Sequence, residues 1–410
     1  MKKIKLKDCC EFVSDGDHLP PPKSDAGIPF ITISDINEQN EISFENTMFV
    51  STEYYDRLNE TKKAKKGDVL YTVVGSFGKP VYIDFYKRFV FQRHIAILRP
   101  KCNVNSRFIY YVMKNMNFYK KVEKLAIGCS QKTITLDSLR NIEIFLPDKE
   151  NQEKIVGILK ELDTKISINN KINDNLLKQI HMLYDYYFLQ FDFPDENGKP
   201  YNSSGGKLVW NETLKQSIPL KWSNKNIRDI TSITWGQCPE GKNIIKNIIE
   251  TDNNIDYCSG AGDMKGGFVV DCQAKTNNSK RLAHKNDILV SVAGKIGDMC
   301  VVDHTISIGR AAMAFTANLN YEIPFIYLTL NMLNKKMTTI SSGSIQKVIN
   351  NDHIDEFNFA YSSDVVEFFG NQTQPIFNQL VHNATENKKL QRLRDWLLPM
   401  LMNGQAIIEN

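Results

Sequence analysis

The stretch KGDVLYTVVGSFGKPVYID, residues 66–84, reads as two short strands around a glycine turn. A second stretch, KNDILVSVAGKIGDMCVVD at residues 285–303, pairs with it without a gap. Lys66, Asp68, Leu70, Val73, Gly75, Gly78 and Asp84 recur as Lys285, Asp287, Leu289, Val292, Gly294, Gly297 and Asp303. Seven identities in nineteen positions stand against roughly one expected from average composition. The chain carries one hairpin twice.

Outward from the hairpin the echo continues. Leu6-Lys7-Asp8 matches Ile227-Arg228-Asp229, and Phe108-Ile109-Tyr110 recurs as Phe325-Ile326-Tyr327. Gly128, Gln131, Lys132, Ile134 and Asp137 recur as Gly343, Gln346, Lys347, Ile349 and Asp352. The segment around Ser34-Asp35 aligns poorly and reads as loops that diverged. Strands are predicted near 28–34, 69–74, 80–84 and 89–98, and a helix near 107–124.

Each copy then ends in a long helix. Ile155, Leu159, Leu162, Ile166, Asn169, Asn173, Leu176, Ile180, Leu183 and Tyr187 step by four and three, a coiled-coil seam interrupted by two asparagines. The second seam runs Phe369, Thr373, Ile376, Leu380, Asn383, Asn387, Leu390, Arg394, Leu397 and Leu401, with its asparagines at the same depth. An asparagine in an apolar seam needs a polar partner, so Asn169, Asn173, Asn383 and Asn387 are candidates for fixing helix register. Asp148 after Pro147 suits a helix N-cap. Gly370 and Pro375 predict a break before Thr373, and Pro399 a kink or end near the C-terminus. The expected order is a globular domain over 1–147, a spacer helix over 148–190 and a Pro/Gly/Ser/Asn-rich linker over 191–219. A second domain over 220–363 and a second helix with a tail over 364–410 follow.

Composition excludes several classes. The hydrophobic content of 42% is that of a globular chain, and no run of 18 apolar residues suggests a membrane span. MKKIKLKDCCEF is basic but has no apolar core, so no secretory signal is expected. The eight cysteines form no Cys-x-x-Cys pair and the histidines do not cluster with them, which argues for reduced thiols and no metal site. The net charge is +4. Residues 1–147 hold 23 basic and 17 acidic residues, and residues 220–363 hold 15 and 14, so the first region is the better suited to a polyanion. Walker A, amino-methyltransferase, nuclease-core and Ser/His/Asp patterns are all missing, so no catalytic residue is assigned. SGAGDMKGG at 259–267 is the nearest approach to a cofactor loop, and no clear helix follows it.

A two-copy chain of this order resembles the specificity subunits of type I restriction–modification enzymes. The resemblance is carried by KGDVL…VVGSFG in each unit and by GCSQKTIT…LRNIEIFLPDKENQEKIVGILKELDTKI leading into the helix. FPDENGKPYNSSGGKLVWNE and LQRLRDWLLPMLMNGQA add to it. It implies two α+β target recognition domains, a pseudo-twofold internal repeat, and two long helices paired as an antiparallel coiled coil. Each domain would read one half of a split double-stranded DNA target. The helices would set the gap and dock two adenine-N6 methyltransferase subunits, and the complex would recruit restriction subunits in the cytoplasm. S-adenosylmethionine would belong to the partner, leaving this chain without catalysis or cofactor. Candidate DNA contacts are polar and basic side chains on the repeated loops: Ser76, Lys79, Gln92, Arg93, Ser130, Gln131 and Lys132, then Lys295, Arg310, Gln346 and Lys347. Gln and Arg suit base edges, and Lys suits phosphate. Residues that recur in domains reading different sequences favour backbone contact or turn formation over base readout. The alternatives are a duplicated protein scaffold without DNA binding and a stand-alone S-adenosylmethionine enzyme using the 259–267 loop.

Overall fold

A computed structural model describes residues 2–18, 21–37, 39–128, 132–246, 254–340, 349 and 351–405. The chain divides into two compact units, one of residues 1–164 with 390–410 and one of residues 165–389.

In the first unit, Val69–Thr72 is buried at every position. Its side chains still sort by the two-residue period of a strand. Val69 and Tyr71 join a core with Leu98 and Phe108, while Leu70 joins another with Ile97 and Val81. A strand covered on both faces lies inside the unit. It lies antiparallel between Pro80–Tyr82 and Ile95–Pro100, with Cys10–Asp15 beyond the latter. A second sheet runs Met48–Val50, Ile28–Ile31, Val90–Phe91, the last two parallel. The helix predicted over 107–124 is two helices, Ser106–Lys114 and Met116–Leu125. Buried Asn115 separates them, its side chain accepting the Asn117 N–H to cap the second. Phe108, Tyr111 and Val122 pack with Ile155 and Leu159 of the first long helix and with Leu398 and Leu401 of the second. Asp163 fastens this junction, accepting from Tyr111 Oη at 2.9 Å and Arg394 Nη1 at 2.9 Å, with Lys114 Nζ at 3.4 Å. Burial alone would raise the Asp163 carboxyl, but Lys114 and Arg394 outweigh it and hold it below its ordinary range.

The second unit repeats the four-stranded sheet as Thr231–Trp235, Ala312–Ala317, Ile288–Ser291, Met299–Val301. Ile288 and Val290 face a core with Phe315 and Phe325, and Leu289 faces one with Cys300 and Val302. Its other sheet has grown to five strands but keeps a parallel pair, Ile255–Cys258 beside Ile306–Ile308. The segment read as a linker is folded. Phe191, Phe193 and Ile218 are buried in the unit's core with Trp222 of the second domain, and Leu208–Asn211 pairs with Gln216–Pro219.

The first long helix runs Lys149–Tyr184 and continues into one π-turn, Asp185–Leu189. Asp148 caps it, accepting the Asn151 N–H at 2.9 Å. The second is unbroken from Ser363 to Met402, against the predicted break. Gly370 comes so close to the Tyr321 backbone that a Cβ would not fit, so this glycine marks a close approach and not an end. Pro375 is exposed, as is Asn371, whose carbonyl loses a donor there, so water can satisfy it. Pro399 lies inside the last turn, its carbonyl accepting from Asn403 at 3.0 Å.

Within the second unit the two helices meet at the asparagines. Asn169 Nδ2 donates to Asn387 Oδ1 at 2.9 Å and to Glu386 at 2.7 Å, and Asn383 Nδ2 donates to Asn173 Oδ1 at 2.9 Å. One number rises as its partner falls, so the pair is antiparallel. Asn387 also donates to Asn170 Oδ1 at 2.8 Å, and Asn173 to Leu380 O at 3.1 Å. A buried amide left without such partners would cost about 1–3 kcal/mol, which disfavours any shifted register.

Candidate nucleic-acid interface

The hairpin tip is built the same way in both domains. Thr72 Oγ1 donates to Ser76 O at 2.8 Å and accepts the Lys79 N–H at 3.0 Å, and the Gly78 N–H returns to Thr72 O at 2.9 Å. Ser291 Oγ donates to Lys295 O and accepts the Asp298 N–H at 3.0 Å, and the Gly297 N–H returns to Ser291 O at 3.0 Å. Gly75 and Gly78 have φ of 70° and 91°, and Gly294 and Gly297 have 77° and 92°. These are left-handed values that favour glycine. A Cβ on Gly78 would strike Tyr119, and one on Gly297 would strike Asn334, so the turn is also pressed against a helix in each copy. The recurring glycines, and the Thr/Ser match between them, make the turn.

This frame gathers three loops. The Val73 N–H donates to His94 O at 2.9 Å, the Gly75 N–H to Lys132 O at 3.2 Å, and the Ile134 N–H to Val73 O at 3.0 Å. The second domain repeats two of these, Val292 to Ala311 O at 2.9 Å and Ile349 to Val292 O at 3.0 Å. Ser76, Arg93 and Lys132 are therefore brought together at one exposed face, flanked by half-buried Gln92 and His94. Lys295 and Arg310 are the exposed equivalents in the second domain. Gln92 is tied by its backbone N–H to Ile31 O at 3.0 Å.

The basic candidates differ in what already holds them. Lys132 Nζ lies 2.6 Å from Glu123, Lys295 Nζ 2.7 Å from Asp298, and Lys79 Nζ reaches Asn37 O at 3.4 Å. The guanidinium groups of Arg93 and Arg310 make no hydrogen bond or ion pair among the described residues. An exposed guanidinium without a partner offers five donors in a planar fork, the geometry that takes phosphate or guanine. Burial and the neighbouring Arg93 both push the His94 imidazole down, so it stays neutral more readily than a free histidine. Ser130, Gln131, Gln346 and Lys347 lie outside the described residues.

One feature escaped the sequence reading. Phe85-Tyr86-Lys87-Arg88 forms an aromatic–basic ridge, with Tyr86 84% exposed. Lys66 Nζ sits 4.6 Å over the Tyr86 ring and Lys87 Nζ 3.8 Å over Phe44. The interleaving of aromatic and basic residues was the available signal. The second domain has His304-Thr305 where the ridge begins, so the two faces differ there.

The 259–267 loop closes on itself. Asp263 accepts from Ser259 N at 2.7 Å, Ser259 Oγ at 2.6 Å and Gln273 N at 3.1 Å. Asp35 accepts from Thr32 N and Oγ1 at 2.7 Å in the first domain, so the loop is the counterpart of that turn. Among the described residues no His/Cys/Asp/Glu group is placed to hold a metal ion, and no helix is long and apolar enough to cross a membrane.

The profile of the Type I restriction modification DNA specificity domain matches residues 1–178 and 219–363. The Type I restriction enzyme MjaIX specificity subunit of Methanocaldococcus jannaschii is 22% identical over 316 residues, covering 76% of this chain and 71% of its own. The Type I restriction enzyme HindI specificity subunit of Haemophilus influenzae is 22% identical over 416 residues, covering 85% and 89%. The crystal structure of the type I restriction–modification S subunit from M. genitalium aligns over 100% of this chain and 96% of its own, at 16% identity and a TM-score of 0.56, a likeness of fold.

Proposed function

The chain belongs to the type I restriction–modification DNA specificity family, and from that we propose that it is the DNA-reading subunit of such a complex. Each domain reads one half of a bipartite double-stranded target. The paired helices set the gap and dock two adenine-N6 methyltransferase subunits, through which restriction subunits join. The chain itself is non-catalytic, S-adenosylmethionine is held by the methyltransferase, and the complex works in the cytoplasm.

The observation that carries this reading is the repeated frame with Arg93 and Arg310 at its matching turn. Two domains that read different bases would share their phosphate contacts, so these arginines are assigned to the DNA backbone. Gln92 and His94, which Gly309 and Ala311 replace in the second domain, are the better candidates for base edges in the first half-site. One small domain discriminates through few base pairs, each worth about 1–3 kcal/mol. A second domain on the same chain adds its own share at high effective concentration. Two copies of one partner would need two like surfaces. Met182 and Trp396, 214 residues apart on equivalent helix faces, are 64% and 61% exposed and suit that role.

The purified chain alone is expected to transfer no methyl group from labelled S-adenosylmethionine, to retain none on filtration, and to leave DNA uncut. Adding its methyltransferase should give sequence-specific adenine methylation. Methyl transfer or cofactor retention by the chain alone would contradict the subunit reading in favour of a solitary enzyme.

A further inference from the structure

The repeated hairpin ends on an aspartate in both copies, but the two carboxylates are used differently. Asp84 is exposed and pairs with Arg107 of its own domain at 3.8 Å. The Asp303 side chain is only 5% exposed and takes Lys388 Nζ and His304 Nδ1, each at 2.7 Å. Lys388 belongs to the second long helix and is only 9% exposed. Its ammonium also donates to Val270 O at 3.1 Å, and Thr385 on the same helix donates to Asp303 at 3.3 Å. His304 Nε2 in turn meets Asp256 at 2.9 Å, and Asp256 lies 3.7 Å from Lys275. Charge alternates along the row. Burial raises the Asp303 carboxyl, yet His304 and Lys388 bring it down to about 2, and Asp256 with Asp303 lifts His304 to about 9. A buried lysine with a carboxylate and a carbonyl as partners is not a solvated surface charge.

Among the described residues the clasp has no counterpart in the first copy. The matching helix position is Asp174, exposed, so both partners there would be carboxylates. The second domain is also held at another element, where Tyr184 Oη meets Thr329 Oγ1 at 3.0 Å and Asn331 meets His181 at 3.4 Å. One attachment leaves a pivot; two separated attachments fix an orientation. The clasp is the attachment at the foot of the hairpin whose tip carries Lys295.

We propose that Lys388 is a positioning residue: by clasping Asp303 and the Val270 carbonyl it fixes the angle at which the second domain presents its reading face from the helix, and so makes the gap between half-sites strict. The inference rests on the bipartite reading above. It is tested in the complex with the methyltransferase by mapping methylated adenines genome-wide for the wild type, K388M and D303N. Both variants should keep the bases of both half-sites. Each should raise methylation at sites whose gap is one base pair too long or too short by about tenfold, the size of one contact-pair coupling. K388M/D303N should be no more relaxed than either single variant, because both remove the same ion pair. Should K388M fail to assemble, D303N carries the test, since its amide still offers Lys388 an oxygen. An assembled variant with the wild-type gap distribution would overturn the assignment, as would altered half-site bases. A wild-type complex without a bipartite pattern would instead sink the underlying reading.

Discussion

Exchanging the first domain for that of a related specificity subunit should rewrite one half of the methylated sequence and leave the other half untouched. The exchange should take residues 1–164 with 390–405 and not 1–147 alone. Ile155, Val156 and Leu159 of the first long helix, and Leu398, Leu401 and Met402 of the second, are buried in the same core as Tyr71 and Phe108. Cutting at 147 would set foreign side chains against these six. Asp163 would also lose Tyr111 Oη and Lys114 Nζ to foreign side chains, and a hydrogen bond to a charged group is worth about 1.5–3 kcal/mol. Moved as a unit, the domain brings its own partners. Methylation at the original first half-site should then fall by more than about a hundredfold, because each wrong base pair costs about 1–3 kcal/mol. The second half-site, read by a domain whose core of Phe315, Phe325 and Phe359 is untouched, should be unchanged. Both halves changing together would mean that the domains are not independent readers.

The second large effect is on the gap. Phe188 and Phe191 bracket the end of the first long helix, and both are buried among Trp222, Phe325 and Phe369. An insertion there would disrupt an aromatic core and would not lengthen a spacer. A better place lies between the Asp163–Arg394 and Asn169–Asn387 pairs, with four residues added after Thr164 and four after Leu390, so that neither pair is interrupted. Four residues add about 6 Å of helix and, at 3.6 per turn, a net rotation of about 40°. One DNA base pair adds about 3.4 Å and about 34–36°. Length alone would favour two base pairs, but two would leave about 30° of rotation uncompensated. Bases lie off the DNA axis, so that error swings the half-site sideways, whereas one base pair leaves an axial misfit of under about 3 Å. The expected result is a gap one base pair longer with both half-sites unaltered. An unchanged gap would show that the helices do not set it.

The repeat was legible because the hairpin constrains sequence tightly. Two left-handed glycines, an aspartate and a small hydroxyl are each tied to backbone geometry, and few substitutions satisfy them. Asp68 and Asp287 show how far that goes. Each accepts a backbone N–H three residues upstream, from Lys65 and His284, both at 2.7 Å. Arg99 completes the first site at 2.7 Å, while burial raises the Asp287 carboxyl in the second, where no arginine stands. Where geometry is looser the repeat fades. Thr32…Asp35 and Ser259…Asp263 make the same turn with different spacing, which alignment could not register. The helix periodicity survived, but its breakers misled, since tolerance of Gly370 and Pro375 depends on which side of the helix each occupies. The repeat makes Asn169 and Asn383 equivalent positions, and antiparallel packing pairs Asn169 with Asn387. For the site, recurrence pointed first to the residues that build the turn. The exposed arginines and the Phe85–Arg88 ridge stood out only once burial and partners were known, and Lys388 gave no sign in the sequence of its buried carboxylate.

The most direct test is a map of methylated adenines made by the wild-type chain with its methyltransferase in a host free of other adenine methylation. Two short half-sites of different sequence, separated by a fixed run of unread bases, are expected. Methylation at an uninterrupted sequence would contradict the assignment of one half-site to each domain, and two identical halves would contradict domains that read different bases.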